Sequence, residues 1–503
     1  MHIFKPMQYY LGIDIGTTSA KAVAFSLCGE VITADSCSYK MYHPQPSWSE
    51  QDPDEVFKAA MVSSNNVISS LATVSPKLVA FSSYMHGLIA IDKDDQPLTK
   101  CIIWADNRAT DIADRLKESG EGRAFYQSTG VPVHAMSPLC KLIWLKENEP
   151  AIFKKASKFI SIKEYIYYKM FGEYIIDTSV ASGTGLFNIK NLSWDEKILN
   201  FLDITPASLS KVVSVKHQLP FKQIAVFSGN QFLISPGTPL IIGGSDGALA
   251  NLGTGAVDPH AMAISIGTSG AARIVSDKVE TDTGMRTFCY HLKDSLYIIG
   301  GASNNGAVVL EWLKDKLLET KETYTELFER AAAITPGSED LILIPYILGE
   351  RAPVWNSNAR GVYFGLNINH TKSHLIRACM EGIVYAIYSI AKILLEKQVI
   401  TEIHATGGFA QSSVWLQMLA DICNIKVCVS GAAESSALGA VMIGMEALNI
   451  GPFARKEILS TYEPDLLNHE VYMKSFERFE RIYDSLKDEL IRDTIPLPQM
   501  PLK

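Results

Sequence analysis

Residues Tyr9–Leu27 read YYLGIDIGTTSAKAVAFSL, and the fold follows from how this stretch is read. Apolar and polar residues alternate into a turn, Gly16-Thr17-Thr18-Ser19, and an apolar run resumes at Ala22–Phe25. Two short β-branched runs joined by a Gly-led polar turn predict a β-hairpin. The turn offers little but backbone N–H groups and small hydroxyls, which together make a concavity suited to phosphate oxygens. Asp14 stands just before it and Lys21 just after. A carboxylate there suits a magnesium ion, held directly or through water. The same residues also suit an ordinary hairpin whose hydroxyls satisfy their own backbone.

The pattern occurs twice. Ala263–Val275 reads AISIGTSGAARIV, repeating Ile-x-Ile-Gly-Thr, then small and hydroxyl residues, a basic residue and an apolar run. Gly16 and Gly267 lie about half the chain apart. A repeat at that spacing predicts two related halves, each bringing a phosphate hairpin to a shared cleft.

Composition narrows the class. A chain of 503 residues exceeds one typical core, so two large domains are expected. The hydrophobic share of 47% and charged share of 20% are those of a globular protein. A net charge of −8 without a basic cluster argues against nucleic-acid binding. The eight cysteines are scattered and form no CxxC pair near histidine, which argues against zinc and for buried thiols in a reducing cytoplasm. Met1–Gln8 lacks the apolar core of a signal peptide, and no apolar run reaches membrane-spanning length.

Further along, Glu30–Tyr39 reads as a third strand, Tyr42–Asp52 as a surface loop, and Asp54 as the cap of a helix reaching about Leu71. Short strands at Leu78–Phe81 and Ile102–Trp104 end in Met85-His86-Gly87 and in Trp104-Ala105-Asp106-Asn107-Arg108. Polar groups just past strand ends are where α/β sheets bind ligands. His86, Trp104, Asp106 and Arg108 are therefore candidates for a polyol site, with a structural histidine and a surface ion pair as the plainer alternatives. Asp177–Ile189 reads as a β segment. Leu240–Gly243 is a strand leading to Gly244-Ser245-Asp246-Gly247, where Asp246 is placed to meet a hydroxyl or to cap the next helix. The composition shift at Thr254–Pro259 marks a domain boundary. In the second half, His374–Glu396 is a core helix, Gly407-Gly408-Phe409 separates a strand from a helix near Ser412, and Asp493–Lys503 is an irregular tail.

These motifs, in order over nearly the whole chain, resemble the FGGY carbohydrate kinases of the sugar kinase, Hsp70 and actin superfamily. The likeness rests on GIDIGTTSAK, MHG, WADNRA, MSPLCKLIWLKEN (Met136–Asn148), GGSDGA, SIGTSG, ERAPVW, RGVYFGLNINHTKSHLIRACME (Arg360–Glu381) and TGGFAQSS. Cys379 departs from the family's pattern, at a position that takes small apolar residues. The resemblance implies an α/β fold of two actin-like domains around a central cleft, divided as 1–253 and 254–503. It implies transfer of the ATP γ-phosphoryl to O6 of D-gluconate, with D-xylulose as the alternative acceptor. A non-catalytic ATP-switch protein is the alternative from another class. Asp246 is the expected base. Met85, His86, Gly87, Trp104, Asp106 and Arg108 would join it around the sugar, with Arg108 as the cation for a carboxylate. Gly16, Thr17, Thr18, Ser19, Lys21, Gly267, Thr268, Gly306, Gly407, Gly408, Phe409 and Ser412 would hold ATP. Asp14 and Asp246 would place Mg2+. The expected partner is a small sugar acid or ketose, with no nucleic acid and no membrane, and a homodimer is one expected assembly.

Overall fold

Two mixed sheets built on one plan form the frame. The computed structural model describes residues 8–71, 75–221, 232–431, 434–453 and 457–489, so the tail at Asp493–Lys503 lies outside the described residues. In the first half, β1 (Tyr10–Ile15), β2 (Ser19–Phe25), β3 (Val31–Ser38), β4 (Val79–Ser83), β5 (Gln218–Pro220) and β6 (Pro239–Ser245) lie in the order β5-β6-β4-β1-β2-β3. The second sheet contains β7 (Ala261–Ile266), β8 (Gly270–Ser276), β9 (Phe288–Lys293), β10 (Leu296–Ser303), β11 (Glu402–Thr406), β12 (Lys426–Ser430) and β13 (Ile458–Tyr462). Its order is β9-β10-β8-β7-β11-β12-β13.

Laid over each other, the six strands of the first sheet match six of the seven in the second, β9 being an added edge strand. In each, a hairpin (β1–β2, β7–β8) is extended by an antiparallel third strand. On its other side the first hairpin strand takes two parallel neighbours (β4 and β6; β11 and β12). An antiparallel strand follows in both, β5 or β13. Even the burial agrees: β1 and β7 are buried throughout except at their fifth residues, Asp14 and Ser265. The repeat read from the two hairpins is thus a repeat of whole domains, with a carboxylate in the first half where the second has a hydroxyl.

Helices cover these sheets. They include α1 (Pro53–Ser70), α2 (Pro138–Asn148), α3 (Thr178–Ser182), α4 (Asp246–Thr254), α5 (Lys372–Leu395), α6 (Ser413–Cys423) and α7 (Ser435–Ala447). The cap of α1 is Asp52 rather than Asp54: its carboxylate accepts from the N–H groups of Asp54 and Glu55, and Pro53 opens the first turn. The loop expected at 42–52 carries two-residue strands that pair into a small sheet. The β segment expected at Asp177–Ile189 is broken by the short helix α3, because Asp177 accepts from Val180 N and caps it, and strand returns only at Phe187–Asn188. By length and composition α5 could cross a membrane, contrary to the reading that no run is long enough. Here it is the central helix of the second core.

One helix crosses between the halves. α7 follows β12, yet its apolar face packs on β1, β4 and β6 of the first sheet and on α4. The α4–α7 contact is backbone-close: a Cβ on Gly253 would sit 2.0 Å from Ser435 O, and one on Gly439 2.0 Å from Leu249 O. Only glycine fits either place.

Candidate active site

Parallel pairing decides where the polar ends meet. β1, β4 and β6 run the same way, with Ile15, Ser83 and Ser245 aligned across them. The hairpin after Ile15, the His86 loop after Ser83 and Asp246 after Ser245 therefore leave the sheet at one edge. In the second sheet, pairing of Ser265 with Thr406 brings Gly267 and Gly407 to a matching edge.

The two turns present similar surfaces. Gly16 N donates to Ser19 O at 3.0 Å, and Gly267 N donates to Ser269 O at 2.9 Å. Their carbonyls are taken from outside: Tyr39 Oη donates to Gly16 O, Gln51 Nε2 to Thr17 O, and Ala307 N to Gly267 O. Among the described residues, the N–H groups of Thr17 and Thr18, and of Thr268 and Ser269, donate to no protein acceptor. Thr18 and Thr268 are exposed at the tips. Each turn is thus a set of open donors with spent acceptors, the surface that binds phosphate oxygens. Gly306 and Gly407 allow close approach to the second turn. A Cβ on Gly306 would lie 2.5 Å from Gly267 O, and Gly407 takes φ +99° with its Cβ position 2.4 Å from Ile266 O. Gly408 is exposed, with nothing near its Cβ position.

Two carboxylates face this edge. The Oδ1 of Asp14 is shut from solvent without a hydrogen-bond partner. Burial, and then the charge of Asp246, push the Asp14 carboxyl up to about 6. Asp246 is the first residue of α4, following Ser245 at the cap position, and its Oδ1 accepts from Gly247 N at 2.6 Å. Burial raises its pKa, while the backbone N–H of Gly247 and the charges of Arg273 and Arg351 oppose the rise. An orphaned buried oxygen beside a second carboxylate fits a hard cation. Among the described residues no three acidic, His or Cys side chains gather as a metal cage. Magnesium fits such a site because it keeps most of its water and borrows phosphate oxygens. Lys21 pairs at 3.0 Å with Glu434, just ahead of α7, so the two halves are tied beside the first turn.

The sugar-side expectations divide. His86 is buried at φ +67°, and its Nδ1 lies 2.7 Å from Gly183 O, so that nitrogen carries the proton and Nε2 is an acceptor. Burial, aided by the nearby Lys141 charge, lowers its pKa to about 3. It is a neutral imidazole with Nε2 left as an acceptor. Met85 packs its side chain against Gly183 and within an apolar cluster, and Gly87 is buried against Cys101. Trp104 donates from Nε1 to Thr17 Oγ1 at 2.9 Å and lies under Arg351, whose Cζ is 4.8 Å from the ring centroid.

Arg108 and Asp106 spend their polar atoms on each other and on neighbouring protein groups. Asp106 is fully buried and accepts from Ser49 N at 2.6 Å and from the Arg108 guanidinium at 2.8 and 2.9 Å. Arg108 also meets Glu50 at 2.6 Å and stacks 3.7 Å over Trp48. The pair is a closed knot that braces its loop. Phe409 and Ser412 are likewise engaged by the protein. Phe409 is a core side chain edge-on to Trp415, and Ser412 spends its hydroxyl capping α6.

Three residues with no assigned role belong here instead. Lys141, buried on α2, donates to His86 O, Ile102 O and Ile103 O at 2.6, 3.1 and 2.8 Å, tying the MHG and WADNRA loops together. Arg273 reaches from β8 over Gly247, whose Cβ position is 3.3 Å from its guanidinium. Arg351 comes from the ERAPVW loop. A lysine in an apolar helix and an arginine inside the run Ala271–Val275 are the signals that could have found them.

Comparison with known proteins agrees with this geometry. The model of the FGGY family of carbohydrate kinases, N-terminal domain, matches residues 9–253, and that of its C-terminal domain matches 262–448. The chain is an FGGY carbohydrate kinase. This kinase is 44% identical over 455 residues, 88% of each chain, to the gluconokinase of Bacillus subtilis (strain 168). Among solved structures it resembles a gluconate kinase from Lactobacillus acidophilus (TM-score 0.91, 33% identity, covering 95% of this chain and 98% of that one). A ligand-bound xylulose kinase from the same organism matches as well, at TM-score 0.91 and 33% identity, covering 96% and 99%. The kinase is therefore a phosphotransferase with an alcohol acceptor, and its backbone alone does not separate the two sugars.

Proposed function

We propose that this kinase transfers the γ-phosphoryl of ATP to O6 of D-gluconate, with Asp246 as the base. The observation that carries the chemistry is the meeting of Asp14 and Asp246 at the edge where the first N–H-lined turn emerges. Phosphoryl transfer demands positioning and charge neutralisation more than covalent steps. Open N–H groups of both turns hold the phosphates, and Gly306, Gly407 and Gly408 let the nucleotide lie against backbone. Asp246 Oδ1 is held by Gly247 N–H, so Oδ2 accepts the proton of the attacking hydroxyl, and burial makes it a stronger base than a solvated aspartate. Magnesium, held by Asp14 with Asp246 beside it, would neutralise charge on the phosphates.

Gluconate is preferred because identity to the gluconokinase of Bacillus subtilis, 44%, exceeds the 31% to the xylulose kinase of Staphylococcus xylosus. The working division is 1–253 for sugar, base and first turn, and 254–503 for second turn and nucleotide. The cytoplasm is the expected compartment, in keeping with ATP as co-substrate and with eight free thiols. ADP release across a panel of D-gluconate, D-xylulose and glycerol tests the reading. Gluconate should give the highest kcat/KM. Preference for xylulose would replace the substrate, and sugar-independent ADP release would replace the activity.

A further inference from the structure

Arg273 and Arg351 converge beside Asp246 from the second half of the chain, and their guanidinium donors are largely unspent on the protein. Among the described residues, Arg273 makes no hydrogen bond or ion pair. Arg351 Nη2 donates to Ser303 O at 3.2 Å, but its Nε is buried without a partner. The adjacent Glu350 offsets part of the Arg351 charge but makes no bond to its guanidinium, being fully buried and already accepting from Ser303 Oγ, Asn304 N, Asn305 Nδ2 and Arg351 N at 2.7, 2.9, 3.2 and 2.7 Å. Neither arginine forms an ion pair with Asp246, although both charges act on it. Two guanidiniums thus lie beside Asp246 without bonding it, and among the described residues the Arg351 Nε and the Arg273 side chain are left without a hydrogen-bond partner. Enclosing charged donors without partners is costly unless a ligand completes them.

We infer that Arg273 and Arg351 are the specificity-determining residues that hold the carboxylate of the acceptor. The assignment deepens the gluconate reading and rests on it. The carboxylate lies at the opposite end of the six-carbon chain from O6, so it belongs on the far side of Asp246 from the phosphates. Arg273 satisfies this: it lies three residues into β8, roughly 10 Å along the strand from the Gly267 turn. Arg351 lies over Trp104, which fixes the plane of its guanidinium, and a planar fork suits a carboxylate better than an ammonium does. Tyr290, buried with its hydroxyl 3.5 Å from His86 Nε2, lies near both arginines and joins them to the MHG loop. The arrangement also explains why Arg108 is spared: its charge is neutralised by Asp106 and Glu50.

The competing source of anionic oxygen is the γ-phosphate, and the experiment separates the two. D-gluconate and D-glucitol, which differ in carboxylate against CH2OH, are compared as ligands of the nucleotide-free enzyme by calorimetry. KM for ATP is measured in parallel. In Arg273→Gln and in Arg351→Gln, affinity for gluconate relative to glucitol should fall about 10²-fold, the worth of a lost charge-assisted contact. Arg273→Lys and Arg351→Lys, which keep the charge but lose the fork, should fall between wild type and Gln, and they carry the same comparison if a Gln variant melts. Equal weakening of both ligands, or a rise in KM for ATP with the gluconate-to-glucitol ratio intact, would overturn the assignment. Wild-type enzyme that turned over xylulose and ignored gluconate would instead remove the substrate reading itself, and that result appears before any variant is made.

Discussion

At the scale of single residues, the site sets function against stability at Asp14. Its folded pKa of about 6 lies above the ordinary 3.8, so the native state holds the carboxylate at a cost. That cost is complete above about pH 6, where both folded and unfolded chains are ionised, and it is gone below 3.8, where both are protonated. Asp14→Asn should therefore melt higher than wild type at pH 8, by roughly 2–5 °C, with the gain fading below pH 6. The same variant should lose the Mg2+-dependent rise in melting temperature, and a variant that melts lower at pH 8 would contradict the assignment. Asp246→Asn should keep fold and ATP binding but lower kcat about 10²–10⁴-fold, as loss of a positioned proton acceptor does. Near-normal turnover would remove Asp246 from the mechanism. Both aspartates stood out in the sequence because Asp14 lies at the end of a buried strand ahead of a Gly-led turn and Asp246 follows a buried strand. The carboxylate-binding arginine did not. Arg108 and Arg351 both sit in loops with a Trp nearby, and what separates them is Glu50, which neutralises Arg108 from 58 positions away.

At the scale of elements, the hairpins carried most of the fold because a turn of open N–H groups needs glycine and small hydroxyls at fixed places, and such a pattern survives in the sequence. Strand partners beyond the hairpin left no comparable trace, so the correspondence of β4 with β11 and of β6 with β12 came only with the structure. The Thr/Ser/Gly-rich stretch at Asp177–Ile189 misleads for a local reason: β propensity pointed one way, and the Asp177 cap settled it the other. α7 was the hardest to foresee, since its partners are some 190 to 430 residues earlier in the chain, as with Ser436 Oγ donating to Asp246 O at 3.3 Å, a separation of 190. Its packing yields an inverted expectation. Alanine normally stabilises a helix relative to glycine, by about 1 kcal/mol. At Gly439 the added methyl meets the α4 backbone, so Gly439→Ala should destabilise by about 1–3 kcal/mol. Denaturant unfolding checks this, and a gain in stability would mean that α4 and α7 separate freely.

At the scale of the whole molecule, the two turns can act on one nucleotide only if the halves approach across the cleft. The contacts already joining them are of two kinds. Near the α4–α7 crossing they are backbone-close and apolar, which resists sliding. A second seam is also buried: Tyr126 Oη donates to Thr287 O at 2.7 Å, Cys289 N donates to Gly130 O at 2.9 Å, and Met85 and Val131 share an apolar cluster with Phe288 and Tyr290. The exposed links, such as Lys21 with Glu434, exchange at little net cost, because a surface ion pair contributes about 1 kcal/mol or less. Motion is therefore expected to be a rotation that keeps the α4–α7 crossing and the buried seam together, with the exposed links remade as it proceeds. Closure would bring Arg273 and Arg351 of the second half onto a sugar resting against the first, and would exclude water from the γ-phosphoryl group. Neither ligand alone spans both halves as fully as the pair. Solution scattering should accordingly show the smallest radius of gyration with D-gluconate and a non-hydrolysable ATP analogue together, an intermediate value with either alone, and the largest for the free enzyme. Gly439→Ala, by loosening the pivot, should blunt the difference between the free and doubly bound states. A radius unchanged under saturating ligands would show that the cleft is already closed, and that the unpaired arginines meet the acceptor in a preformed pocket.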